Sequence, residues 1–183
     1  MSDLPPKQLS MEVSAAAIAR LPAVPVPEGY VLRTYRPGDE ASWAALNVAA
    51  GFKEWDTAKV KGYLKEPERR AGSHLVKRGG EAVAATFATR GEGENEGTLD
   101  YVVCHPDHQN KGLGRAACSA VLRFWLGRGC QRVTLLTDDW RLPAVKLYHN
   151  LGFVPVWGRE DMPGRWRAVY AELGLDGVEP PAP

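Results

Sequence analysis

The stretch Leu99-Asp100-Tyr101-Val102-Val103-Cys104-His105-Pro106-Asp107-His108-Gln109-Asn110-Lys111-Gly112-Leu113-Gly114-Arg115 decides how this chain is read. It opens as an apolar strand, passes through a polar loop and runs into a helix. The loop ends on Gln109-x-x-Gly112-x-Gly114, with Lys111 and Arg115 beside the glycines. A helix start presents backbone N–H groups that lack partners, and its dipole favours an anion there. Two glycines remove side chains at that point and let an anion come close to the backbone. The two cations add charge at the rim. The residues by themselves describe a phosphate-binding turn at a strand-to-helix junction.

Outward from this turn, the pattern predicts a long helix over 112–128. Leu113, Ala117, Val121 and Phe124 share its inner face, and Gly129 suits its C-terminal cap. A strand follows over 131–137. A helix separates it from the strand over 98–104, so a parallel, right-handed crossover is predicted. Pro143 suits the first turn of a further helix. Ala144, Leu147, Tyr148 and Leu151 form its inner face, and Gly152 ends it. Segments 153–156 and 165–172 read as two closing strands.

Upstream, 30–36 alternates as a first strand, and Asp39 caps a helix with Trp43, Leu46 and Ala50 at helical spacing. A second helix is read over 51–66, starting near Asp56-Thr57. Segments 73–77 and 82–89 form a hairpin around Lys77-Arg78-Gly79-Gly80-Glu81. Residues 1–28 are rich in Pro and Ala and read as an extended extension or strap, with room for a short helix over 11–20. Residues 174–183 end in Pro-Pro-Ala-Pro and read as a disordered tail.

At 183 residues the chain suits one domain with a real core. Its net charge of +1, without long runs of one sign, argues against nucleic acid as a partner. Three cysteines are few and odd in number, which speaks against a disulfide framework and for a reducing cytoplasm. No apolar run reaches the roughly 18 residues of a membrane span, and no signal peptide is read at the N-terminus.

The stretch over 102–115 resembles the acetyl-CoA-binding motif of the GCN5-related N-acetyltransferase (GNAT) family, (Gln/Arg)-x-x-Gly-x-(Gly/Ala), which follows a strand and a loop. A second segment, Ala144-Val145-Lys146-Leu147-Tyr148-His149-Asn150-Leu151-Gly152-Phe153, resembles that family's A-x-x-L-Y-x-x-x-G-F signature at the usual separation. The resemblance covers about 29–173, taken as the acetyltransferase domain. It implies an α/β fold with a mixed, mostly antiparallel sheet, a parallel and splayed central strand pair, and helices on both faces. It implies acetyl-CoA as cosubstrate and direct acetyl transfer to an amine in a ternary complex. Carried over, Val102, Val103 and Cys104 meet the cofactor through the main chain, with an N–H near Val102–Val103 polarising the thioester carbonyl. Gln109, Asn110, Lys111, Gly112, Leu113, Gly114 and Arg115 surround the pyrophosphate. Arg141 stands where many relatives carry an asparagine, and is read as reaching a CoA phosphate.

The resemblance places the family's acid tyrosine at Tyr148, suited to protonate the leaving thiolate; packing alone is the other reading. Asp100 is the one ionisable acid on its strand. Period-2 alternation puts it on a face with Thr98, Val102 and Cys104, as a general base or as a structural acceptor. Phe52, Trp55 and Tyr63 are candidates for acceptor contact or for packing. Asp100, Asp138, Asp139 and Glu54 near the presumed groove favour a small cationic or peptide amine, and a homodimer stays open.

Other classes are weighed beside this one. Gly112-x-Gly114-x-x-Ala117 matches a loose dinucleotide fingerprint, but seven residues separate Cys104 from Gly112, too many for that turn. No Gly-Lys-Ser/Thr occurs, so a P-loop is excluded. Cys104, His105 and His108 crowd one loop without a second cluster, so no metal is expected. A CoA-binding regulatory module without turnover keeps the same motifs.

Overall fold

A computed structural model describes residues 7–175. The chain runs β1 (Leu9–Ser14), α1 (Ala15–Ala19), β2 (Val31–Thr34), α2 (Glu40–Ala49), α3 (Thr57–Tyr63) and α4 (Pro67–Gly72). It continues through β3 (His74–Arg78), β4 (Glu81–Arg90), β5 (Glu96–Cys104), α5 (Leu113–Gly127), β6 (Arg132–Thr137), α6 (Leu142–Asn150), β7 (Val154–Pro155) and α7 (Met162–Leu173). A short 3₁₀ turn, Pro106–His108, sits between β5 and α5. No helix among the described residues is long and apolar enough to cross a membrane.

One seven-stranded sheet carries the fold, in the order β2-β3-β4-β5-β6-β1-β7. Every neighbouring pair is antiparallel except β5 and β6, which run parallel as the intervening helix requires. The fold is therefore mixed α/β, mostly antiparallel, with one central parallel pair. On one face, α5, α6 and α7 bury Leu99, Val121, Trp125, Val145 and Trp166 against the sheet. On the other, α2 and α3 cover β4 and β5, where Trp43 stacks on Phe87 at 4.4 Å and 9°.

Three sequence expectations are corrected. Residues 9–14 fall within the expected extension, yet they form a strand inserted between β6 and β7. Leu9, Met11 and Val13 are fully buried, while Ser10, Glu12 and Ser14 alternate with them on the opposite face. That alternation outweighs the prolines, and the helical part shrinks to α1. Further on, 20–30 does cross the domain as a strap: Arg123 donates to the Leu21 carbonyl at 2.8 Å, and Val26 and Tyr30 pack beside Leu113 and Ala117.

Secondly, 165–172 is helical. Pro163 lies in the first turn, and Met162, Trp166, Val169 and Tyr170 recur at helical spacing and are buried. Of the other closing strand, Val154 and Pro155 alone pair, with β1 as partner. Thirdly, the helix expected over 51–66 is the shorter α3, Thr57–Tyr63, and a separate helix, α4, starts at Pro67. Of the tail expected over 174–183, Leu175 packs on the core and 176–183 lie outside the described residues.

Candidate functional site

β5 and β6 pair over Glu96–Thr98 against Arg132–Thr134 and then part. Beyond Thr98 that edge of β5 pairs with no strand among the described residues, so its main-chain groups stay open to the cleft. A cleft of about 500 Å³ opens there. Its walls are Val102, Val103 and Cys104 of β5, Gln109 and Asn110 of the loop, and Gly112 to Arg115 at the start of α5. Opposite them stand Trp140, Arg141, Pro143, Ala144 and Leu147, with Ala49 and Ala50 at the end of α2. Every residue expected at the cofactor reaches this lining except Lys111. Its Nζ donates to the Asp107 carbonyl at 3.0 Å and steadies the loop instead.

The phosphate turn has the backbone that its glycines imply. Gly112 has φ +75°, and a Cβ there would meet nothing within 4 Å. The backbone angle, not crowding, requires glycine. At Gly114 a Cβ would meet only Leu147 Cδ2, at 3.7 Å, so the space above the turn is open. Asn110 takes φ +60°, which asparagine tolerates. Arg115 Nε is buried without a partner among the described residues. An unpaired buried donor in the wall of a cleft suits an anion.

A β-bulge resets the faces of β5. Ala85 pairs with Val103 and Phe87 with Asp100, so Thr86 opposes both Tyr101 and Val102. Tyr101 takes φ +46°, a strained value for an aromatic residue. Asp100 and Tyr101 both turn toward α3, whereas Val102 and Cys104 pack on the α5 side. The expectation that Asp100 shares a face with Val102 and Cys104 is therefore corrected: the extra residue breaks the period of two.

Asp100 borders an aromatic basin. Its Oδ2 accepts from Tyr63 Oη at 2.8 Å and from Thr89 Oγ1 at 3.3 Å. Burial, with the Asp100 carboxylate second, pushes the Tyr63 hydroxyl well above the usual tyrosine range. Phe52 meets Tyr101 edge-on at 5.4 Å, and Trp55 meets Tyr63 at 5.2 Å. Two of the four acids expected near this groove serve elsewhere. Asp138 accepts from Gln8, and Asp139 is held by Arg165, whose hydrogen bonds lower its carboxyl. Glu54 is exposed beside Lys59 at 3.5 Å.

Tyr148 follows the lining residue Leu147 but does not itself line the cleft; it is part of the core, and only 3% of it is exposed. Burial pushes its hydroxyl above the usual range, Cys118 adds to this, and the positive charge of Arg141 opposes it. Arg141 stacks over Phe52 at 5.6 Å and Trp140 at 5.8 Å. Trp140, 77% exposed, was not foreseen as a wall of the site. The signal was an aromatic residue in the polar turn Asp138-Asp139-Trp140-Arg141. The His108 ring binds Tyr30 Oη at 2.9 Å, tying the strap to the loop between β5 and α5. Among the described residues no three His, Cys, Asp or Glu side chains group as metal ligands.

The model of the acetyltransferase (GNAT) family matches residues 31–153. The chain is 33% identical over 156 residues to a mycothiol acetyltransferase of Streptomyces bingchenggensis, covering 80% of this chain and 50% of the relative. It is 36% identical over 145 residues to a mycothiol acetyltransferase of Thermobispora bispora, covering 73% and 49%. It thus spans about half the length of the curated relatives it matches. A crystal structure of a GCN5-related N-acetyltransferase from Sphaerobacter thermophilus shares the fold, with a TM-score of 0.61 at 22% identity over 82% of this chain and 49% of that one. With one motif at the turn from β5 into α5 and the other on α6, the chain belongs to the GNAT acetyltransferase family.

Proposed function

We propose that this chain transfers the acetyl group of acetyl-CoA to a primary amine, by direct attack while both substrates are bound. The observation that carries the reading is the cleft at the parted strand pair, whose wall residue Arg141 lies over the Phe52 ring of the neighbouring basin at 5.6 Å. One end is the glycine turn at Gly112, and its β5 wall adjoins the basin around Asp100. Acetyl-CoA fits this chain on two counts: the open backbone cradle at Gly112 and Gly114, and the unpaired Arg115 Nε in the same wall. Its thioester supplies an activated acetyl group.

The residues then have distinct tasks. The N–H groups at the start of α5 hold the pyrophosphate, with Arg115 and the loop from Gln109 to Asn110 around it. Main-chain groups of Val102 and Val103, released by the splay, hold the pantetheine arm and the thioester carbonyl. An alkylammonium, with an ordinary pKa near ~10.4, must lose a proton before it attacks. Asp100 is the carboxylate placed to take it, directly or through water. A C–N bond forms, the C–S bond breaks, and the thiolate gains a proton. Tyr148 is assigned as its source: it follows the lining residue Leu147 on α6, and burial keeps its hydroxyl protonated at neutral pH.

Thermal-shift and equilibrium-binding measurements with acetyl-CoA, CoA and NAD(P) test the cofactor, and an amine panel read by thiol release tests turnover. Binding of acetyl-CoA with release of CoA on some amine is expected. Preference for NAD(P) would overturn the reading. Tight CoA binding with no release on any amine would leave a regulatory module.

A further inference from the structure

The aromatic basin carries two opposite charges, and neither meets a counter-charge in the protein. Asp100 receives two neutral hydroxyls on Oδ2, and no ion pair engages it among the described residues. The nearby cation, Arg69, lies behind Tyr63 at 4.3 Å from its ring centre. It is occupied by the Tyr63 carbonyl at 2.9 Å and the Thr89 hydroxyl at 3.2 Å. The Arg141 side chain likewise makes neither ion pair nor hydrogen bond among the described residues; its guanidinium rests on ring faces. Between the two charges stand Phe52 and Tyr101, in edge contact at 5.4 Å. Two half-buried charges held apart by neutral rings match a ligand with one charge of each sign.

We propose that the acceptor is an amino acid or short peptide whose amine faces Asp100 and whose carboxylate is received by Arg141. This rests on the acetyl-transfer reading above and names its acceptor class. The proposal gives Arg141 a different task from the one expected at a CoA phosphate. The phosphate turn has its own cation in Arg115, while the Arg141 guanidinium lies over Phe52, on the connection between α2 and α3. A planar guanidinium stacked on a ring still presents its edge for bidentate carboxylate binding. A plain diamine would set a second cation beside Arg141, and a neutral amine would leave Arg141 without a partner.

The test is steady-state kinetics with matched acceptors: ω-amino acids of increasing length and dipeptides, each against its carboxamide. The wild-type protein should favour the acids by about tenfold or more in kcat/KM, the scale of a charge-assisted hydrogen bond. Arg141→Gln should bring that ratio close to one, with KM for acetyl-CoA little changed, and Arg141→Lys should keep part of the preference. Equal use of acids and carboxamides by the wild type would overturn the proposal. So would an Arg141→Gln variant that raises KM for acetyl-CoA and keeps the ratio. If acetyl-CoA neither binds nor turns over with any amine, the acetyl-transfer reading itself fails. If amines are acetylated with no preference for an acid, only the present proposal fails.

Discussion

Gly112 joins a backbone requirement to a charge requirement, and two substitutions separate them. Alanine at φ +75° meets no neighbour within 4 Å, so its cost is conformational, about 1–2 kcal/mol. Aspartate adds a carboxylate at the N–H groups assigned to the pyrophosphate. Gly112→Asp should abolish CoA binding in a folded protein, whereas Gly112→Ala should weaken it modestly; calorimetric titration with CoA distinguishes the two. At Tyr148, replacement by Phe keeps the contact with Phe153 and removes the hydroxyl alone. The expected loss in kcat is about 10²-fold, the low end for a positioned acid, because a thiolate leaves readily. KM for acetyl-CoA should change little, since a transition-state interaction is removed. Because the folded hydroxyl is raised in pKa, the wild-type acid stays protonated through the neutral range, and its loss should affect rate at neutral pH as well as at alkaline pH. A Phe variant with wild-type kcat would make Tyr148 a packing residue.

Among the elements, β1 and the start of β5 carry the sheet. Met11 is fully buried in a strand flanked by β6 and β7. Met11→Ala should cost about 2–5 kcal/mol in urea unfolding, the range for such core truncations. Ser10→Ala, on the opposite face of the same strand, should be close to neutral. Gly97 sits at the middle of the parallel pairing with β6, and a Cβ there would stand 2.5 Å from the Trp125 ring. Trp125 is fully buried and cannot swing aside. Gly97→Ala should therefore destabilise the fold by roughly 1–3 kcal/mol, as overpacking does. An unchanged denaturation midpoint would show that the ring adapts.

Across the whole molecule, acid should act first through Asp39. This carboxylate is buried where β2, β3 and α2 meet. Burial alone would raise its pKa, but Arg33 at 2.6 Å, Lys77 at 2.8 Å and the Arg36 N–H outweigh it and hold the carboxyl far below the usual range. A folded pKa below the unfolded one gives stability that is complete above about pH 4–5 and is lost as pH falls further. Asp39→Asn should cost about 1.5–3 kcal/mol at pH 7, in the range of charge-assisted hydrogen bonds. It should also flatten the decline of stability below about pH 4. Urea unfolding of both proteins from pH 3 to 7 measures this; parallel curves would remove Asp39 from the acid transition.

The local signals in the sequence settled most elements around the site. Asp56 caps α3 by accepting from the Lys59 N–H, Gly112 and Gly129 bracket α5 with positive φ, and the helix between β5 and β6 dictated their parallel pairing. Each depends on neighbours a few residues apart, and short-range chemistry is legible in order along the chain. Tertiary structure decided the rest. The position of β1 depends on pairing Leu9 with Thr137, far along the chain, a choice that the prolines around it obscure. The bulge opposite Thr86 exists because two strands differ by one residue between their anchored pairs, and it puts Tyr101 on the same side as Asp100 and sends Val102 and Cys104 to the α5 side. Segment 165–172 alternates well enough for a strand. Its residues Trp166, Val169 and Tyr170 become a helix face because they bury into the core beside α6. The same holds for charge: four acids near the groove look alike in sequence, but Gln8 and Arg165 engage two of them, and Arg141 settles on Phe52. Which charges remain without a partner is a property of contacts between distant residues, so the sequence determined the glycine turn and the folded chain determined the aromatic basin.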